Sequence, residues 1–286
     1  MSISAGKNAN NWLEQMQRNL LFAAFILLLG ACAPANETRV SIPADENIRL
    51  EAFIRTPTTP GVHPVVIYSH GSSGGALSES RPAQTQADYF AARGYVFIAV
   101  MRRGRGGSTG GSREWEEKNC DPGSWEPGLR DAFGDLTAVI GYAKKLPEVD
   151  GAHILLAGAS RGGFLSVAYA AAGALRDDVA GVLNFSGGWV AQREDNCPID
   201  FNLVKFSSYG AASRKPSLWL YGEDDAMYGD DSVQSYIVGF HAAGGVAKFE
   251  HIVAPAGEGH NIVNDPALWA RIVDSFLTDL ARKPMR

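Results

Sequence analysis

Eight short apolar runs, separated by stretches of helical periodicity, constrain this chain more than any other feature. Val40–Pro43 and Ile48–Arg55 alternate polar and apolar residues, as half-buried strands do. Pro64–Ser69, Tyr95–Met101, Ile154–Ala157, Val179–Phe185, Ser217–Tyr221 and Lys248–Val253 are instead apolar on both faces, the pattern of strands covered on two sides. Between them, Leu129–Leu146 places Phe133, Leu136, Ile140 and Ala143 at three- and four-residue spacing, and Pro147 stops it. Further helices are expected at about Ala83–Arg93, Arg161–Leu175, Asp231–Ala243 and Pro266–Leu280. Strand and helix in alternation mean right-handed crossovers onto one mostly parallel central sheet with helices on both faces, an α/β architecture. In such a sheet chemistry resides in the loops leaving the carboxyl ends of the strands. Those loops hold His70–Gly74, Arg102–Gly111, Gly158–Gly163, Ser186–Trp189, Gly222–Asp225 and Ala256–His260.

Composition removes several alternatives. With 286 residues, 45% of them apolar, the chain can bury one sizeable core. A net charge of −5 leaves no positive field for a phosphate backbone, so nucleic acid is excluded as a partner. Three cysteines with no CxxC pair, and no HExxH, leave no zinc pattern; neither a metal nor another cofactor is implied.

The N-terminus reads as an address. Leu20–Cys32 is apolar almost throughout and follows Arg18. Thirteen residues span about 20 Å as a helix, short of the ~30 Å membrane core, so residues 1–31 are expected to be a signal peptide. Met16 offers a second start with a more compact signal. Leu29-Gly30-Ala31-Cys32 resembles the bacterial lipobox, which implies lipidation at Cys32, export to the periplasm and membrane attachment through that lipid alone. A linker then runs over 32–38, and the folded domain over 39–286. In an oxidising compartment the remaining cysteines, Cys120 and Cys197, are expected to form a disulfide. It would join two insertions, Ser112–Gly128 and Trp189–Ser213, as a short lid over the pocket.

Gly158-Ala159-Ser160-Arg161-Gly162 fits G-x-S-x-G directly after a strand and before a helix, the context that motif needs. A serine on so sharp a turn exposes its hydroxyl, and the following helix aims free N–H groups at charge developing beside it. A serine nucleophile needs a base oriented by a carboxylate, and in the α/β-hydrolases, which this motif resembles, the order is serine, acid, histidine. Of the downstream histidines, His241 lies in a helix and His251 in a strand, whereas His260 lies in the glycine-rich loop AGEGH. His260 is therefore the expected base.

Three stretches carry a family resemblance: PVVIYSHGSSGG, AVMRRGRGGSTG and DLTAVIGYAKKLPEVDGAHILLAGASRGG. The chain resembles the α/β-hydrolases over residues 48–280, most of all their dienelactone-hydrolase-like and prolyl-oligopeptidase-like branches. It departs from dienelactone hydrolases proper in carrying Ser160 where they carry cysteine. The resemblance implies an acid three residues beyond Gly222, which is Asp225, with Asp224 as the alternative. It implies oxyanion donors at the backbone N–H groups of Arg161 and Ser72, with His70 orienting that loop. RRGRGG, which by composition resembles an RNA-binding box, becomes an active-site loop, with Arg102 or Arg103 meeting a substrate carboxylate and Trp189 contributing to an apolar wall.

The implied function is hydrolysis of a carboxylic ester or related small acyl substrate through an acyl-enzyme. Two other readings are a small serine aminopeptidase of the oligopeptidase type and a catalytically silent binding lipoprotein. The oligomeric state is left open.

Overall fold

A computed structural model describes residues 37–72, 83–115, 121–191 and 200–282. Cys32, Cys120 and Cys197 lie outside them, as does the expected signal segment. The elements run β1 (Glu37–Asp45), β2 (Ile48–Arg55), β3 (His63–Ser69), α1 (Gln84–Ala91), β4 (Val96–Val100), α2 (Glu126–Ala143), β5 (Val149–Ala159), α3 (Arg161–Ala172), β6 (Val179–Phe185), α4 (Phe201–Ala212), β7 (Ser217–Gly222), α5 (Asp230–Ala242), β8 (Ala247–Ile252) and α6 (Pro266–Arg282). The eight strands form one sheet in the order β1-β2-β4-β3-β5-β6-β7-β8. β1 and β2 pair antiparallel, β2 joins β4 antiparallel, and every later pairing is parallel.

The two-residue period of a strand divides the apolar runs between two layers. In β3, Val65 and Ile67 face the side covered by α2, α3, α4 and α5, while Val66 and Tyr68 face the side covered by α1 and α6. β4 repeats this, with Val96, Ile98 and Val100 on the first side and Phe97 and Ala99 on the second. Burial on both faces is why these segments show no alternation. α3 lies against the middle of the sheet, and Arg161 through Ala171 are all buried, so it too lacks a polar stripe.

One expectation is corrected. Residues 201–212 were expected within an insertion over the pocket, yet they form α4. Asp200 caps this helix by accepting a hydrogen bond from the Leu203 N–H at 3.1 Å. Phe201, Phe206 and Tyr209 turn into the core, and Phe206 packs between Phe164, Trp219 and Tyr236. These aromatic side chains fill the space beside α3, where burial away from water stabilises the core.

Candidate active site

The junction of β5 and α3 is sterically forced. Ser160 has φ 54° and ψ −124°, a conformation L-residues seldom adopt. Its N–H donates to the Phe185 carbonyl at 2.9 Å, and its own carbonyl accepts from Phe164 and Gly188 at 3.1 and 3.2 Å. Those bonds hold the strain. A Cβ on Gly162 would clash with the Ser69 carbonyl, and one on Gly158 with the backbone of Gly162. Both motif glycines are therefore demanded by close backbone approach.

Two further loops meet at the same end of the sheet, after β7 and β8. Gly222 ends β7 and touches the backbone of Gly259 so closely that neither residue has room for a side chain. Asp224 takes up the bend at φ 55° and is exposed, whereas the Asp225 carboxylate is fully buried. Asp225 Oδ1 accepts N–H bonds from Met227 at 2.8 Å and Tyr228 at 3.2 Å. His260 Nδ1 lies 3.0 and 2.9 Å from the two Asp225 oxygens. These are the only side-chain hydrogen bonds of His260 among the described residues, so Nε2 is left for another partner. The Tyr228 ring packs 5.6 Å from the imidazole, and its hydroxyl donates to the Gly188 carbonyl at 2.7 Å. Tyr228 was not anticipated from the sequence, where nothing separates it from any other core tyrosine.

The loop after β3 completes the constellation. Gly71 lies so near the Ser160 turn that a Cβ there would be 3.2 Å from Ser160 Cβ. His70 is buried, with Nδ1 2.6 Å from the Gly71 carbonyl and Nε2 accepting the Arg102 N–H at 3.2 Å. Burial, reinforced by the charge of Arg102, pushes its pKa down to about 3. Neutral imidazole is thus the form present, with its proton on Nδ1. Ser72 follows, half-buried.

The arginines behave otherwise than expected. Arg103 donates from N and Nε to Asp135, both at 2.8 Å, and approaches Asp131 at 3.4 Å. Arg102 is 1% exposed and paired with Glu114 at 2.5 Å. The expectation that either meets a substrate carboxylate is corrected: internal carboxylates on α2 and in the 113–115 turn already neutralise them, and burial makes those pairs mandatory. Trp189 is buried against Phe164, with centroids 5.8 Å apart, so its ring belongs to the core beneath the site. Its carbonyl accepts from Arg161 Nε at 2.8 Å.

Among the described residues no group of three His, Cys, Asp or Glu side chains could hold a metal. No helix among them is long and apolar enough to cross a membrane. A cavity of about 610 Å³ opens at the amino ends of the strands, lined among others by Tyr95, His153, Leu155, Arg214 and Leu280. It lies at the opposite end of the sheet from Ser160 and shares no residue with the constellation.

An open, mostly parallel sheet with a strained serine at the strand-to-helix turn and an Asp–His pair on two later loops defines the α/β-hydrolase class. Within it, residues 39–186, just over half of the chain, match the acetyl xylan esterase (AXE1) family. The chain belongs to that family and is a carboxylic ester hydrolase. No curated protein sequence matches it significantly. Among solved structures it resembles acetyl xylan esterase 1 from Thermoanaerobacterium sp. JW/SL YS485, at 20% identity and TM-score 0.62, covering 87% of this chain and 84% of that one. A protein assigned as a dienelactone hydrolase from Klebsiella pneumoniae subsp. pneumoniae MGH 78578 is similar at 17% identity and TM-score 0.60, covering 88% and 100%. Pyrococcus horikoshii acylaminoacyl peptidase is similar at 14% identity and TM-score 0.61; the match covers 90% of this chain but 43% of the peptidase. At these identities the likeness concerns the fold.

Proposed function

We propose that the protein hydrolyses small acyl esters, acetyl esters of sugar hydroxyls foremost, through a covalent acyl-enzyme on Ser160. The observation that carries this reading is the buried Asp225 carboxylate held against His260 Nδ1, on loops that leave the same end of the sheet as the strained Ser160. With Nδ1–H donating to Asp225, Nε2 is the free base. Ser160 Oγ attacks the ester carbonyl carbon as its proton passes to Nε2, and the carbonyl oxygen becomes an oxyanion. The N–H groups of Arg161 and Ser72 receive that charge. Collapse of the intermediate expels the alcohol, which takes the proton from His260. Water then repeats the sequence, releasing the carboxylic acid and restoring Ser160. The acetyl preference follows from the family to which residues 39–186 belong.

The test is hydrolysis of acetylated xylooligosaccharides and of an aryl acetate, with an aminoacyl anilide as the peptidase control. Covalent labelling by a fluorophosphonate is expected in the wild type and absent in Ser160→Ala. Ester turnover retained by Ser160→Ala would overturn the reading.

The protein is further proposed to be exported and lipidated at Cys32, with Cys120 and Cys197 joined. Arg161 supports the pairing, since its guanidinium bonds both the Glu114 and Trp189 carbonyls, each at 2.8 Å, and so ties together the stems from which the two cysteine segments depart. Non-reducing peptide mapping of exported protein should recover the two cysteine peptides linked. Two free thiols would refute the bridge.

A further inference from the structure

Glu114 sits in a 3₁₀ turn, outside every motif of the sequence, yet its buried carboxylate lies between Arg102, which grips the loop leading to Ser72, and the side chain of Arg161. On one side Arg102 donates to it from Nε at 2.5 Å and from Nη2 at 3.1 Å, a two-pronged pair that leaves the guanidinium one orientation. The remaining donors of Arg102 grip the loop before Ser72. Nη1 binds the His70 carbonyl at 2.6 Å, and Nη2 the Gly71 carbonyl at 3.3 Å, which also accepts from His70 Nδ1 at 2.6 Å. A trans peptide is planar, with its C=O and N–H pointing in opposite directions. Fixing the Gly71 carbonyl therefore fixes the direction of the Ser72 N–H. On the other side, Arg161 Nη1 donates to the Glu114 carbonyl at 2.8 Å and lies 3.7 Å from Glu114 Oε2. Arg161 itself carries the second N–H.

We propose that Glu114, acting through Arg102, is the positioning residue that sets the Ser72 oxyanion donor for the acyl-transfer reaction. This rests on the serine-esterase reading above. Glu114 touches no reacting atom; its effect is that the Ser72 N–H is already aimed when the carbonyl oxygen gains charge, which is when such a donor acts.

The test compares aryl acetate with the corresponding aryl thionoacetate, in which sulfur replaces the carbonyl oxygen. A well-aimed oxyanion hole prefers oxygen, because sulfur is larger and a poorer hydrogen-bond acceptor. In Glu114→Gln, assayed below its unfolding transition, kcat for the acetate should fall roughly 10- to 100-fold, less than the 10²–10³ of deleting a donor outright. KM should stay within about threefold, and the oxygen-to-sulfur preference should shrink at least fivefold. Arg102→Lys, which keeps the charge but not the two-pronged geometry, should shift the ratio likewise and serves if Glu114→Gln does not fold. A loss of stability with kcat and the ratio unchanged, or equal losses on both substrates, would overturn the proposal. So would a gain in activity, since it would mean that the carboxylate acts only by its charge. Activity independent of Ser160 would instead remove the esterase reading beneath it.

Discussion

The carboxylate of Asp225 and the imidazole of His260, 35 positions apart in the chain, meet at 2.9 and 3.0 Å because Gly222 and Gly259 allow the backbones of their loops to touch. Asp224, the adjacent acid, faces solvent from a left-handed bend. Asp225→Asn should lower kcat by about 10⁴, since an amide cannot hold the imidazole in the required tautomer. Asp224→Asn should change it by less than about threefold. Steady-state kinetics on an aryl acetate decides between the two acids.

Gly162→Ala should be among the most damaging substitutions in the chain. The new methyl would meet the Ser69 carbonyl, part of a parallel strand that has nowhere to retreat. A cost of about 3 kcal/mol or more is expected, at the upper end for overpacking. Gly141→Ala is the contrast: a Cβ in that helix meets nothing within 4 Å, and a stabilisation of roughly 0.5–1 kcal/mol is expected. Urea unfolding of the two variants would show shifts of opposite sign.

Stability should fall as the solution is acidified, in two overlapping windows. His70 is depressed to about 3 from 6.5, chiefly by burial. The unfolded chain therefore takes up a proton below 6.5 that the folded chain refuses, and stability declines by up to ~1.4 kcal/mol per pH unit between 6.5 and 3. Burial alone would raise Glu114, but the charge and hydrogen bonds of Arg102 outweigh it and bring its pKa down to about 2 from 4.5. Its contribution is complete above 4.5 and lost as the pH falls toward 2. Urea titrations should give a midpoint that drops from pH 6.5 to 4.5, and His70→Gln should flatten that first window. An unchanged slope in His70→Gln would rule out His70 as its source.

Tyr228→Phe removes the buried hydrogen bond to the Gly188 carbonyl and leaves the ring against His260. A loss of about 1 kcal/mol in stability is expected. kcat should fall only a few-fold, because the Asp225–His260 pair is untouched, and thermal unfolding beside steady-state kinetics separates the two effects.

The strands, the sharp turn at Ser160 and the loops that carry Asp225 and His260 were legible in the sequence because they rest on local patterns. Apolar runs follow the period of their element, and Gly158 and Gly162 mark where backbone must pass backbone. His260 stood out by its place after the last strand, while in the sequence only resemblance separated Asp225 from Asp224; the fold buries the first and exposes the second. The tertiary structure alone decided the partners of the charged groups. Nothing local says that Arg103 turns to Asp135, 32 positions away, or that Glu114 lies between Arg102 and Arg161. Likewise, the aromatic residues of 201–212 fill the core beside α3 because the adjoining space was theirs to close. Periodicity is a property of neighbours in sequence, whereas a buried charge is satisfied by whichever opposite charge the completed fold brings within reach, and that choice exists only once the layers have packed.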